Sequence, residues 1–180
     1  PLLWREMPDD ASIAVISVPG PYAAAEAWQA IKSNRHVLLF SNNVSLADEI
    51  ALKTAGRDRN LLVMGPDCGT AIINGVPLGF ANNVRRGNIG IVAAAGSGLQ
   101  ALTCQIDQMG CGISHAIGTG GRDLRKDVRA ITTRMGLKAL HRDPNTKVIC
   151  VLSKPPDPAI AEAILLEAKD IQKPVVLCLL

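Results

Sequence analysis

Three glycine-rich turns carry most of this sequence's capacity for chemistry. The first, Ala95-Gly96-Ser97-Gly98, follows the apolar run Ile89-Gly90-Ile91-Val92-Ala93-Ala94. Glycines at a strand-to-helix junction let the backbone turn sharply and approach a ligand, and the helix start offers unpaired N–H groups and a positive dipole end to an anion. Gly96, Ser97 and Gly98 are therefore candidate phosphate-binding residues, although any tight turn of this kind favours Gly and Ser. The second turn, Ile117-Gly118-Thr119-Gly120-Gly121-Arg122-Asp123, ends another apolar run. Open α/β sheets place ligands at such carboxyl ends, so Gly118, Gly120 and Gly121 form a second candidate anion-binding set. The alternative is a packing turn with Asp123 as a helix N-cap. The third, Gly65-Pro66-Asp67-Cys68-Gly69, puts a thiol and a carboxylate on a turn. A lone cysteine without a neighbouring base reads as ligand lining rather than as a nucleophile.

Other reactive side chains fall into no catalytic pattern. His36, His115 and His141 lack metal-ligand spacing, so no metal is predicted. Ser97 has no G-x-S-x-G frame, and the catalytic residues stay unassigned. Cys68, Cys104, Cys111, Cys150 and Cys178 form no C-x-x-C pair, and their odd number predicts reduced thiols in the cytoplasm. The net charge of +3 is spread out apart from Arg85-Arg86 and Arg122-Arg125-Lys126-Arg129, so no nucleic-acid partner is predicted. No apolar run reaches the ~20 residues of a membrane helix, so no membrane partner is predicted either.

The elements that must position these turns alternate. Apolar runs at 13–18, 36–40, 61–64, 89–94, 113–117, 148–152 and 175–180 read as strands. Helical patterns follow at 22–33, after the N-cap Ser45, at about 98–109, from about Leu124, and at 158–169. Asn74-Gly75 marks a hairpin turn within the irregular stretch 70–84. With 3% aromatic residues, the core must be built from Val, Ile, Leu and Ala, as in parallel strands covered on both faces. The predicted fold class is α/β, with two doubly wound parallel-sheet units divided at residues 84/85. The pattern at both ends also predicts a segment of a longer chain.

The stretch LLVMGPDCGTAIINGVPLGFANNVRRGNIGIVAAAGSGLQ, followed by AIGTGGRDL, resembles the succinyl-CoA synthetase α subunit and other NDP-forming acyl-CoA synthetases. Gly65-Pro66-Asp67-Cys68-Gly69-Thr70 and Ser153-Lys154-Pro155-Pro156 are most similar to FdrA-type proteins. The resemblance implies that residues 1–84 are the later part of a Rossmann-like CoA-binding domain, with Pro19, Ser41, Asn42, Pro66 and Cys68 near the cofactor. It implies that residues 85–180 are a flavodoxin-like ligase domain whose helix after Gly96-Ser97 holds a phosphate. Two departures stand out. Ala95 replaces the family's frequent Ser, and Ser153-Lys154-Pro155-Pro156 stands where the synthetase has an acidic residue that supports its phosphohistidine.

The implied cofactors are CoA, with ADP or ATP and phosphate. The implied activity is that of an acyl-CoA synthetase-like subunit in acyl or phosphoryl transfer, working with a partner subunit or as a homo-oligomer. FdrA-type proteins suggest a second activity, a carbamoyltransferase subunit of allantoin breakdown acting on oxamate and carbamoyl phosphate. A third expectation, from a different class, is a non-catalytic nucleotide-binding assembly module.

Overall fold

The computed structural model describes Pro8 and residues 10–179, so the predicted ends at Pro1 and Leu180 lie outside the described residues. Two sheets divide the chain. The first has strand order β1-β2-β3, formed by Ile13–Ile16, His36–Leu39 and Val63–Met64, all parallel. Helices α1 (Gly20–Lys32) and α2 (Leu46–Asp58) make the connections. Strand alternation sorts the apolar side chains between the two faces. Ala14, Ile16, Val37, Leu39 and Val63 pack under Ala23, Ala27 and Ile31 of α1 and Leu52 of α2. Leu38 and Met64 point the other way and join a core that includes Ile117, Leu137 and Leu140 of the second unit. The first sheet is thus covered by its own helices on one face and by the second unit on the other.

The second sheet has strand order β5-β4-β7-β6-β8-β9. Its strands are β4 (Thr70–Ile73), β5 (Val76–Gly79), β6 (Arg86–Ala93), β7 (Ile113–Gly118), β8 (Val148–Ser153) and β9 (Val175–Leu179). Strands β7, β6, β8 and β9 run parallel, as the alternating pattern predicts. The hairpin β4–β5 turns at Asn74 and Gly75, both at positive φ, and joins antiparallel to β7 through Ile72 opposite Ala116. The chain therefore changes sheet at residues 65–69. The hairpin, placed with residues 1–84 in the sequence reading, adds its strands to the second sheet.

Helix α3 (Gly96–Gln108) covers one face of this sheet, burying Leu99 and Ile106 against Ile91, Ala93 and Ile113. Helices α4 (Ile131–Arg142) and α5 (Pro158–Lys169) lie on the other face, over Val92, Ile149 and Val151. Ser45 caps α2 as expected, accepting from the Asp48 N–H at 3.0 Å.

One predicted helix begins elsewhere. The pattern places a start near Leu124, but residues 121–130 form turns and α4 begins only at Ile131. Arg129 and Ala130 are left-handed, with φ 62° and 54°, a conformation a helix cannot continue through. The Ala130 N–H closes this loop onto the Asp123 carbonyl at 2.8 Å. The Asp123 carboxylate then accepts from the Thr132 N–H (3.2 Å), the Thr133 N–H (2.8 Å) and the Thr133 hydroxyl (2.7 Å). Asp123 does cap a helix, but from a loop well ahead of it.

The same carboxylate anchors the two units together. Lys53 of α2, wholly buried, sends Nζ to Asp123 Oδ1 at 2.7 Å, the Thr119 carbonyl at 2.9 Å and Glu49 Oε1 at 2.9 Å. Arg122 completes the group, with Nε 2.7 Å from Glu49 Oε2 and a guanidinium N–H donating to the Val44 carbonyl at 2.9 Å. Both oxygens of Glu49 thus face cations. Thr132 adds a hydroxyl bond to the Val63 carbonyl at 2.7 Å.

Taking one partner from a buried ion group leaves the others desolvated and unpaired, which costs about 3–5 kcal/mol. Lys53→Met is expected to lower the unfolding free energy by about that amount in urea titrations. Arg57→Gln, which breaks the exposed pair with Asp58, is expected to change it by less than about 1 kcal/mol.

Two histidines make the fold sensitive to acid. His36 Nδ1 accepts the Leu62 N–H at 2.8 Å, and His115 Nδ1 accepts the Asn74 N–H at 3.0 Å. Burial lowers both from their ordinary value of 6.5; for His115 the Asp143 carboxylate opposes that shift and Arg86 adds to it. Between the lowered folded values and 6.5 the unfolded chain binds more protons, so stability rises with pH there. Unfolding free energies are therefore expected to hold above pH 6.5 and decline below it, with a shallower decline in His36→Asn, which keeps an acceptor near Nδ1.

Candidate anion-binding site

The glycine turns converge at the carboxyl ends of the second sheet's parallel strands. Residues Asp67–Thr70, Ala93–Gly96, Gly118, Gly120 and Gly121 line one small cleft. Strand order β7-β6-β8-β9 reverses direction at β6, so the crevice between β6 and β8 is the topological switch point where open α/β sheets bind ligands. A neighbouring cleft of about 310 Å³ shares Gly121 and is lined by Leu124, Arg125, Lys126, Asp127, Ser153, Lys154, Pro155 and Asp157.

Backbone geometry leaves the start of α3 open to this crevice. Ala95 is the N-cap and contributes no side-chain bond, as an alanine in place of a serine requires. The first intrahelical bond runs from the Leu99 N–H to the Ala95 carbonyl at 2.9 Å. The N–H groups of Gly96, Ser97 and Gly98 precede it and belong to the unpaired first turn. Gly96 and Ser97 are exposed, and a Cβ built on Gly96 would meet nothing within 4 Å. Open space at a glycine in a cleft is what close approach of a ligand to backbone requires.

The remaining glycines divide by role. Gly121 is exposed and equally unobstructed. Gly118 and Gly120 instead permit close packing, since a Cβ would lie 2.3 Å from the Thr70 carbonyl at Gly118 and 2.5 Å from the Pro66 carbonyl at Gly120. Gly98 brings α3 close to β8, where a Cβ would press on Leu152 at 2.9 Å. Of the six candidate anion-binding residues, Gly96, Ser97 and Gly121 face open space, while Gly98, Gly118 and Gly120 hold the walls together.

Arg125, Lys126 and Lys154 supply the positive charge at the rim, all exposed. Asp127 and Asp157 lie beside them, and Asp157 is engaged in capping α5 through the Ala159 N–H at 3.0 Å. In the sequence Arg125 and Lys126 stand out only as part of a basic group, and Lys154 only as a departure from a family pattern. Their meeting depends on the left-handed loop ahead of α4, for which the sequence offers no periodic signal.

The candidate cofactor residues occupy the carboxyl edge of the first sheet. Pro19 and Asn42 are exposed there, whereas Ser41, Pro66 and Cys68 are buried. The Ser41 hydroxyl donates to the Val18 carbonyl at 2.6 Å and accepts the Val18 N–H at 3.0 Å, tying one strand-end loop to the next. Pro66 follows a cis peptide bond, and its carbonyl backs Gly120. Cys68 lies against the anion cleft, its thiol donating to the Thr70 carbonyl at 3.6 Å. Burial is the main cause that pushes this thiol up to about 11, so it is no nucleophile near neutrality. No group of three or more metal-ligating side chains occurs among the described residues.

An α/β protein with a glycine-lined crevice at a switch point is the class that fold and site define. Residues 84–179 match the CoA binding domain family, more than half of the chain, and the chain belongs to that family. The match falls on the second unit, which the resemblance assigns to the ligase part. The chain is 51% identical over 171 residues to YahF of Escherichia coli strain K12, covering 95% of this chain and 33% of that protein. It is 26% identical over 172 residues to the succinate–CoA ligase [ADP-forming] α subunit of Staphylococcus aureus, covering 92% of this chain and 55% of that subunit.

The fold is shared with solved structures at lower identity. ATP citrate lyase from Methanothrix soehngenii, in complex with citrate and coenzyme A, superposes with a TM-score of 0.78 at 19% identity, covering 96% of this chain and 30% of that one. A dinucleotide-forming acetyl-coenzyme A synthetase from Ca. Korarchaeum cryptofilum, in complex with phosphate and ADP, gives 0.75 at 20% identity, covering 96% and 38%. The chain therefore spans a third to about half of the curated relatives it matches. Among the described residues no helix is long and apolar enough to cross a membrane.

The thiols differ sharply in accessibility, since Cys68 is buried and Cys111 exposed. Iodoacetamide at mildly alkaline pH is expected to modify Cys111 readily and Cys68 only after unfolding, as peptide mass spectrometry of native and urea-treated samples would reveal.

Proposed function

We propose that this chain is part of an acyl-CoA synthetase-like ligase subunit that binds CoA or a nucleotide and takes part in acyl or phosphoryl transfer. The observation that carries this reading is the unobstructed start of α3 at Gly96, which lines one cleft with Gly121, next to the cleft in which Gly121 meets Lys154. Preorganised N–H groups stabilise an anion where charge develops, without reorganising at the moment of reaction. The phosphate of ADP, ATP or an acyl phosphate would sit on those groups, and Lys154 would meet its outer oxygens. CoA would lie along the carboxyl edge of the first sheet, over Pro19 and Asn42, while Ser41, Pro66 and Cys68 support the loops from beneath. The subunit would work in the cytoplasm with a partner subunit or as a homo-oligomer.

A second reading has its own observation. Lys154 sits at the end of β8, beside Gly121, where the family resemblance calls for an acidic residue supporting a phosphohistidine. A lysine cannot accept that histidine's proton, but it can bind a free phosphate. That favours the FdrA-type alternative, a carbamoyltransferase subunit in which the same crevice holds carbamoyl phosphate and oxamate is the acceptor.

Thermal unfolding of the full-length protein with CoA, ADP, ATP and carbamoyl phosphate separates these readings, because a ligand at one hundred times its dissociation constant stabilises the native state by about 2.7 kcal/mol. A shift with CoA, retained in Lys154→Glu, supports the synthetase reading. A shift with carbamoyl phosphate that Lys154→Glu abolishes, with none from CoA, replaces it with carbamoyl transfer. No shift with any of the four removes both and leaves a non-catalytic assembly module.

A further inference from the structure

A third cleft lies between the two units, toward the opposite ends of the strands from the glycine crevice. Its volume is about 320 Å³, and it is walled by apolar side chains of both sheets and of α4, including Ile13, Leu62, Met64 and Ile117. Three polar side chains enter this lining, His36 from the first sheet, His115 from the second, and Asp143 just after α4. We propose that this cleft is a small-molecule site for a compact, neutral, apolar ligand bearing a carbonyl group.

The size falls within the range of small-molecule pockets, and an apolar wall with a few placed polar groups is their usual composition. Backbone bonds decide what the histidines offer. Because Nδ1 of each ring accepts a backbone N–H, the proton of the neutral ring must sit on Nε2. His115 Nε2 lies 3.5 Å from Asp143 Oδ2, which orients that ring. His36 Nε2 has no hydrogen-bond partner among the described residues, so a donor of fixed tautomer stands ready at an apolar wall. A carbonyl oxygen answers such a donor.

Charge selects the rest of the ligand. Asp143 places a carboxylate in the lining; burial raises it, but the Thr146 hydroxyl (2.6 Å), the Asn145 N–H (3.2 Å), His115 and Lys173 together hold it below its ordinary range. An anion entering this cleft would meet that carboxylate, whose charge is offset in part by Lys173, the Nζ of which donates to the Asp143 carbonyl at 2.6 Å. The preference is thus the reverse of that at the glycine crevice, and it holds whether or not the ligase reading is correct. Since the two histidines belong to different units, a ligand here would touch both at once.

The probes are benzamide and benzoate, which share shape and differ in charge. The full-length protein, labelled with 15N-histidine, is titrated with each while long-range 1H–15N spectra follow the imidazole nitrogens. Benzamide is expected to shift His36 Nε2 saturably, and benzoate to bind at least about tenfold more weakly. Ala139→Trp fills the mouth of the cleft from an exposed position and should weaken benzamide at least about tenfold. His36→Asn removes the Nε2 donor while keeping an acceptor near Nδ1, and a similar loss is expected even if the tryptophan variant fails to fold. Absence of any shift with benzamide, equal binding of benzoate, or unchanged affinity in a folded variant would each overturn the proposal.

Discussion

The wholly buried Lys53 ammonium is the interaction on which the rest of this structure depends. It is held by carboxylates from both sides, Glu49 on its own helix and Asp123 on the loop that follows β7. A charge removed from water must be matched, and here the matching groups come from different sheets. Apolar contacts between Leu38, Met64, Ile117 and Leu137 also join the two units, but they are tolerant of small slides. An ion group with bonds of 2.7–2.9 Å is not, so it defines how one sheet sits on the other.

That constraint reaches the crevice through a short path. Asp123 binds Lys53 and the start of α4 at once, which forces residues 121–130 into a loop rather than a helix. The loop carries Gly121, Arg125 and Lys126 to the carboxyl ends of β6 and β8, where Lys154 waits. The shape of the crevice is thus tied to the docking of the first unit, although no residue of α2 lines it. The same docking encloses the histidine-lined cleft at the other ends of the strands. The two clefts thus lie on opposite sides of one interface, one lined by cations and the other by apolar side chains.

Membership of the CoA binding domain family and the fold shared with an acetyl-coenzyme A synthetase and an ATP citrate lyase agree with a chain made of parallel strands and glycine turns. What distinguishes this chain is local. Ala95 leaves the helix cap without a hydroxyl, and Lys154 adds a cation at a strand end. Each change is a single side chain: the first removes a hydroxyl from the start of α3, and the second brings a cation beside Gly121.

Much of the fold was legible because its signals are local. Runs of Val, Ile and Leu marked the strands, Ser45 marked a helix start, and Asn74-Gly75 marked a hairpin, since each works through neighbours in the chain. The turns at Gly96 and Gly121 were legible as glycine-rich strand ends for the same reason. Which glycines face a ligand and which permit packing was decided only by the tertiary structure, because Gly118 and Gly120 answer to carbonyls of Thr70 and Pro66. The late start of α4, the sheet to which the hairpin belongs and the gathering of Arg125, Lys126 and Lys154 were likewise beyond local reading. They follow from a lysine on one unit and an aspartate on the other, 70 residues apart, and no pattern along the chain encodes a pairing that exists only once both are buried.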